Sequence, residues 1–185
     1  MSIEEARLEP VASGLLPAGE GWFVVNVSDA AWETSVFGSA CFFEGPEAPF
    51  TQLGINVRVL HSGESKGLYH VESAEEDFLV LVGECLLLVE EQERHLHAWD
   101  FVHCPPGTRH AFVAAGDGPC VILMVGGRSS DQTFLYPRSE LALRHGAGVE
   151  RETASPAEAQ AGLGEWRLER PAGWEALPWA TQERR

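Results

Sequence analysis

The stretch YHVESAEEDFLVLVG, residues 69–83, decides the fold of this chain. His70 and Glu72 are two positions apart, so on an extended strand both side chains point to the same face. Glu76 shares their parity, provided that the loop between them preserves the register, and it opens an apolar run of the length of a buried strand. The stretch therefore predicts strand structure that carries one imidazole and two carboxylates on one face.

A second stretch, PPGTRH at residues 105–110, lies downstream of the first. Pro-Pro-Gly predicts a tight turn, and His110 follows it at the start of another strand. Imidazole nitrogens and carboxylate oxygens on two strands can converge on one metal ion. The sequence predicts a single divalent ion, with Fe, Mn, Zn and Ni left open, and four ligands: His70, Glu72, Glu76 and His110. Glu72 could instead act as a general base or support a ligand by hydrogen bonding.

These two stretches resemble the two motifs of the cupin superfamily, small antiparallel β-barrels that include many dioxygenases, isomerases and ligand-binding proteins. The first motif of that family reads His-x-His, a few residues, Glu, six residues and Gly, and the second reads Pro-x-Gly, two residues and His. The resemblance covers residues 53–127 and implies an all-β fold, an antiparallel barrel of the double-stranded jelly-roll type. The first motif is matched here at three positions: His70, Glu76 and Gly83.

Three positions depart from the family pattern. Glu72 stands where the second His is usual, which turns a His-His-Glu-His ligand set into His-Glu-Glu-His. Ala114 stands where the second motif often carries Asn, and Trp99 replaces the Gly that usually precedes Asp100. The first departure changes the metal chemistry, and we interpret the other two as structural.

Three functions remain open at this point. Two imidazoles and a carboxylate with open coordination positions form the ligand set of non-haem Fe(II) oxygenases, which favours a dioxygenase-type oxidoreductase acting on a small molecule. The same set can hold an ion that polarises a carbonyl, so a sugar-type isomerase or epimerase is the alternative. A non-catalytic metal or ligand sensor is the third, because a fold does not determine a function. No catalytic residue is assigned.

The segment around Arg58 has the alternation of a half-buried strand. Ile55, Val57 and Val59 are apolar, and Asn56 and Arg58 lie between them. We expect the two polar side chains to face solvent. If that face turned inward, Arg58 could bind a substrate carboxylate with two parallel hydrogen bonds. The positive charge of Arg58 or Lys66 would also offset the repulsion between an anionic substrate and the two carboxylates.

The composition bounds the class of protein. A chain of 185 residues suits one domain, here with a barrel at 53–127, N-terminal strands within 20–45 and a C-terminal segment, 128–185, packed on it. A formal charge of −15 argues against binding to nucleic acid or to an anionic membrane. The N-terminus lacks the apolar region of a signal peptide, so we expect a cytoplasmic location. The four cysteines show no pairing pattern and are expected to be buried thiols.

The C-terminal part changes character. A short helix is predicted from Ser139 to Arg144, and a second begins after Ser155 as N-cap, with Pro156 as its first residue. The tail contains three of the six tryptophans, which predicts that it packs on the barrel or on a partner subunit. Because aromatic residues are enriched in interfaces, we expect a homodimer. Three further histidines are expected at the surface: His95, His97 and His103.

Overall fold

The computed structural model describes residues 2–46, 49–65 and 67–180. The strands are β1 Arg7–Val11, β2 Gly14–Ala18, β3 Glu33–Ser35, β4 Gly38–Cys41, β5 Leu53–Leu60, β6 Val71–Glu72, β7 Glu76–Val82, β8 Glu84–Val89, β9 Gln92–His97, β10 Phe101–Cys104, β11 His110–Ala115, β12 Cys120–Gly127, β13 Phe134–Leu135 and β14 Arg167–Leu168. The helices are α1 Glu140–Arg144, α2 Pro156–Ala159 and a 3₁₀ helix at Trp174–Ala176. Within the described residues, no helix has the length and apolar character needed to cross a bilayer.

Two antiparallel sheets form the β-barrel that the resemblance implies. The larger sheet has the strand order β10-β7-β12-β5-β4-β3-β14, and the smaller one has the order β11-β8-β9. A further pair, β13 with β6, lies beside β11, because His70 and His110 exchange two backbone hydrogen bonds. This pairing brings the first motif directly against the second.

The barrel interior is filled by every second side chain of the facing strands. Phe78 and Val80 point inward from β7, and Phe112 and Ala114 point inward from β11. This alternation follows from the pleat, which directs successive side chains to opposite faces. The interior cluster consists of Leu60, Phe78, Val80, Cys85, Leu87, Cys104, Phe112, Ala114, Cys120, Ile122 and Met124. All four cysteines are free and buried, as predicted.

The apolar face of β5 lies outside the barrel, not inside it. Val57 and Val59 pack in a separate cluster with Trp32, and residues of the tail, including Trp174 and Trp179, cover this cluster. The polar face of β5 consequently points toward the barrel interior. The expectation that Asn56 and Arg58 face solvent is therefore wrong: both are half-buried, and Arg58 Nη1 is fully enclosed.

The N-terminal strands differ from the predicted positions. Strands β3 and β4 lie within the predicted range 20–45, but the β-rich run at its start, residues 22–27, forms no extended strand. The chain instead forms the hairpin β1–β2 earlier, between residues 7 and 18. Pro10 and Pro17 lie within these two strands, and they remove the local strand signal because proline is tolerated only where no ladder N–H is needed. Val25 and Val27 pack against the cluster that contains Trp32, and the Trp32 indole donates to the Val27 carbonyl (3.1 Å).

Both predicted C-terminal helices are confirmed. Ser139 caps α1 by accepting a hydrogen bond from the Ala142 N–H (3.1 Å). Ser155 caps α2 by accepting from the Glu158 N–H (3.3 Å). These side-chain acceptors satisfy N–H groups that the first turn of a helix leaves without partners.

Gly83, the last residue of the first motif, has two reasons to be glycine. Its φ is +74°, and a Cβ there would lie 2.3 Å from the Pro119 carbonyl oxygen. Gly146 has a similar φ of +67°, but a Cβ there would meet nothing within 4 Å.

We expect Gly146→Ala to lower the free energy of unfolding by about 1 kcal/mol through backbone strain. Gly83→Ala should lower it by about 1–3 kcal/mol more, because the added Cβ also overlaps the Pro119 carbonyl. Urea unfolding of both variants checks this, and equal losses would contradict it.

Candidate metal centre

His70 and His110 are held side by side by backbone pairing. The His70 N–H donates to the His110 carbonyl (3.1 Å), and the His110 N–H donates to the His70 carbonyl (2.9 Å). Directly opposed residues on antiparallel strands project their side chains to the same face. The two imidazole rings accordingly lie with their centroids 4.8 Å apart.

The Pro-Pro-Gly turn sets this register. The Thr108 N–H donates to the Pro105 carbonyl (3.1 Å), which closes a β-turn, and Gly107 has a φ of +89°. Proline followed by a residue with positive φ is the signature of a type II turn. The Gly107 N–H donates to the Glu72 carbonyl (2.9 Å), so the turn is tied to β6 two residues after His70.

Each histidine is anchored through its Nδ1 atom. His70 Nδ1 lies 2.8 Å from the Leu68 carbonyl oxygen, and His110 Nδ1 lies 3.1 Å from the Thr108 carbonyl oxygen. A carbonyl can only accept, so in the neutral rings Nδ1 carries the proton and Nε2 presents a lone pair. This is the tautomer and the backbone support that metal-binding histidines commonly have.

Glu76 completes the group from the opposite sheet. It opens β7, and its Oε2 lies 3.3 Å from His110 Nε2. His70, Glu76 and His110 are 7%, 8% and 1% exposed, and one ligand atom from each lies within 4.8 Å of the others. Two imidazole nitrogens and a carboxylate oxygen gathered in an enclosed space are a donor set that a cation between them would stabilise. The donor set therefore fits a divalent metal ion, which these three residues could bind.

Glu72 lies beside this group but is not one of the three. Its Oε1 is 3.0 Å from His70 Nε2, and its Oε2 accepts from the Gln132 side chain (2.6 Å). The shared face of His70 and Glu72 agrees with their strand parity. Gln132 precedes β13 and is sixty residues away in the chain, so the sequence alone offers no signal that connects it with Glu72.

Aromatic rings enclose the histidines. Phe78 and Phe112 pack near the His110 ring, with centroid distances of 5.2 and 6.2 Å. Tyr136 stacks on His70 at 5.8 Å, and burial raises the pKa of its hydroxyl, while a hydrogen bond with Gln160 lowers it and the Glu72 charge raises it. Tyr136 follows a strand of only two residues, so no local pattern marks it as a site residue.

A second group of ligand-type side chains lies on the outer face. Glu75, Asp77 and His103 also have ligand atoms within 4.8 Å of one another, but Glu75 and His103 are exposed. His103 Nδ1 lies 2.8 Å from Asp77 Oδ1, and this hydrogen bond raises the pKa of His103. His95 and His97 are exposed on β9, as expected, and Cys104 is buried in the barrel interior.

A cavity of about 200 Å³ adjoins the buried group. Barrel residues and residues of the C-terminal segment line it together: Phe37, Phe42, Arg58, Gly67, Leu68, His70, Glu72, Tyr136, Gln160 and Trp166. A larger cavity, about 680 Å³, shares only Phe37 and Leu68 with it and contains none of the predicted ligands. The smaller cavity is therefore the one in which a bound molecule would meet the candidate metal centre. Lys66 lies outside the described residues.

The comparisons with known proteins agree with this geometry. The sequence model of the cupin domain family matches residues 56–126. A cupin 2 conserved barrel domain protein from Salinispora arenicola is 19% identical, with a TM-score of 0.50, over 69% of this chain and 98% of that one. The fold and the match together define the class: this chain contains a cupin domain.

Two further solved structures are similar to parts of the chain. A sugar phosphate isomerase of the cupin superfamily from Silicibacter pomeroyi is 27% identical, with a TM-score of 0.50, over 55% of this chain and 66% of that one. A protein from Acidithiobacillus ferrooxidans, provisionally described as a sugar phosphate isomerase, is 26% identical, with a TM-score of 0.44, over 45% of this chain and 55% of that one. The present chain thus spans less than two thirds of either structure. No curated protein matches the sequence.

Proposed function

We propose that this protein is a metal-dependent enzyme that acts on a small molecule, with dioxygenase-type chemistry. The observation that supports it is the buried group of His70, Glu76 and His110 next to a cavity. Two imidazoles and one carboxylate leave coordination positions open for a substrate, and they are the ligand set of non-haem Fe(II) oxygenases. A ferrous ion in such a site would supply redox chemistry with dioxygen. The homodimer and the cytoplasmic location stay predictions from the sequence.

Glu72 is proposed as a fourth and weaker ligand. An ion bound by His70 Nε2 would lie close to Glu72 Oε1, since these two atoms are 3.0 Å apart. Gln132 binds the other oxygen of this carboxylate and fixes its orientation. The same position suits a general base, because Glu72 lines the cavity and can accept a proton from a molecule bound there.

A sugar phosphate isomerase is the second candidate. The likeness to the Silicibacter pomeroyi protein favours it, and so does the cationic Arg58 in the cavity. In that reaction the ion would act as a Lewis acid on a carbonyl, and Glu72 would move a proton between carbon atoms or oxygen atoms of the substrate. Dioxygen would then play no part.

Oxygen dependence separates the two candidates. We expect protein purified without added metal and reconstituted anaerobically with Fe(II) to consume dioxygen with a catechol-like or diketone compound, and His110→Ala to abolish this uptake. Sugar phosphate interconversion under nitrogen, without oxygen uptake, would overturn the dioxygenase proposal in favour of the isomerase. Stoichiometric metal binding with neither activity would favour a sensor. X-ray fluorescence on the purified protein identifies the metal.

A further inference from the structure

We infer that Arg58 binds an anionic group of the substrate, a carboxylate or a phosphate, in the cavity that it shares with His70 and Glu72. This inference rests on the proposed function, because it assigns the substrate class of the same site. Arg58 lies on β5 and is directed toward the barrel interior, whereas its neighbours Val57 and Val59 pack outside the barrel.

The guanidinium of Arg58 is enclosed but only partly satisfied by the protein. Its Nε donates to Asn56 Oδ1 (3.1 Å), and its Nη1 is buried with no hydrogen-bond partner in the described parts of the chain. Buried polar groups are nearly always hydrogen-bonded, and a buried charge without a partner is costly. An enclosed guanidinium nitrogen with no protein acceptor, on a residue that lines a cavity, is the arrangement expected of a group whose partner is a ligand.

Two aromatic rings hold the guanidinium in position. Its Cζ lies 5.1 Å from the centroid of Phe42 and 4.8 Å from that of Trp166. Such contacts stabilise a cation away from water and keep its planar fork from changing orientation. Burial lowers the pKa of Arg58 to about 10, against the opposing effect of the Glu33 charge, so the side chain stays positive at neutral pH.

The charges that line the cavity favour one orientation of a bound substrate. Glu72 lines the cavity and Glu76 lies behind it at the metal centre, so an anionic group would be repelled there and attracted by Arg58. The reacting end of the molecule would then lie toward His70 and the metal. A cavity of about 200 Å³ suits a compact acid or a small phosphate ester.

The test uses inorganic phosphate and acetate as probes of the metal-free full chain. The indole N–H signal of Trp166, assigned with Trp166→Phe, should shift saturably with at least one of the two anions in NMR titrations. Arg58→Met should raise the half-saturating concentration at least tenfold, and Arg58→Lys should give an intermediate value because lysine lacks the fork. Arg94→Met is the matched control: Arg94 is exposed on β9 and is not part of the cavity lining, and its substitution removes the same charge.

The outcomes distinguish this inference from the proposed function. No shift with either anion in the wild type, or equal curves for the wild type and Arg58→Met, would overturn the role of Arg58. The remaining indole signals show whether Arg58→Met is folded. Mn²⁺ stoichiometry on the same samples tests the metal centre separately, because it should be unchanged in Arg58→Met. Preference for phosphate favours a phosphate ester as substrate, and preference for acetate favours a carboxylic acid.

Discussion

His110→Ala is expected to abolish stoichiometric binding of a divalent metal. His110 is 1% exposed, and its Nε2 lies 3.3 Å from Glu76 Oε2, so the imidazole and the carboxylate present their lone pairs to the same space. Loss of the imidazole removes one of the two nitrogen ligands and leaves His70, Glu76 and the weaker Glu72, a set that should hold an ion far less tightly than the complete one. Metal content after gel filtration, measured by mass spectrometry, should fall from one equivalent to near zero.

Two controls separate ligand loss from unfolding. His103→Ala removes a histidine whose ring is exposed on β10, the strand that pairs with β7. In this variant the metal content should stay at one equivalent. Circular dichroism checks the fold of His110→Ala, because His110 packs against Phe78 and its loss leaves a cavity. Full occupancy in a folded His70→Ala, His110→Ala double variant would show that the ion binds elsewhere.

Glu72→Gln should weaken metal binding without abolishing it. The amide keeps the shape of the side chain but removes the negative charge beside His70 Nε2, from which Glu72 Oε1 is 3.0 Å away. A loss of about 10–100-fold in affinity is expected for a group that supports or supplements the ligands. In every variant that binds metal, affinity should fall as the pH falls, because imidazoles must be neutral to ligate.

Trp32→Ala should cause the largest loss of stability of the variants considered. Trp32 is fully buried, stacks on Trp179 at 5.2 Å and meets the edge of Trp174 at 5.9 Å. It also covers the outward face of β5 and donates to the Val27 carbonyl. Truncation of a buried tryptophan removes this packing and leaves a cavity, which should cost about 3–5 kcal/mol in the free energy of unfolding.

Trp99→Ala is the matched control for this loss. Trp99 is 74% exposed and has a φ of +77°, a strain that alanine would share, so the substitution should change stability by no more than about 0.5 kcal/mol. Urea unfolding followed by circular dichroism measures both variants. Similar losses in the two variants would show that the outer cluster around Trp32 contributes little to stability.

Local patterns were sufficient for the strands and turns that carry the ligands. A short apolar run predicted β7, and proline followed by glycine predicted the turn before His110 and the start of β11. These features depend on a few consecutive residues, so a sequence window contains all the information needed. The hairpin β1–β2 was missed for the opposite reason: its prolines contradict the local rule, and only pairing between the two strands makes them acceptable.

Only the tertiary structure shows which face of β5 points into the barrel. Alternation shows that Val57 and Val59 share one face and that Asn56 and Arg58 share the other, but not which face is covered. Trp32 and the tail residues Trp174 and Trp179 cover the valine face, and this leaves Arg58 directed inward. Residues outside the local sequence, the two of the tail more than a hundred positions away, therefore decided the environment of a side chain whose local sequence favours solvent.

The sequence by itself determined the candidate ligands His70, Glu72, Glu76 and His110, because strand parity and turn chemistry are local, and its resemblance to the two cupin motifs implied the barrel. The tertiary structure alone decided which of them gather within ligand distance, since that depends on the pairing of His70 with His110 and on the sheet opposite. It also brought Tyr136, Gln132 and the Trp166 ring to the site, by packing segments that share no sequence pattern with the motifs. Contacts between distant segments depend on three-dimensional packing, so no periodicity in the sequence predicts them.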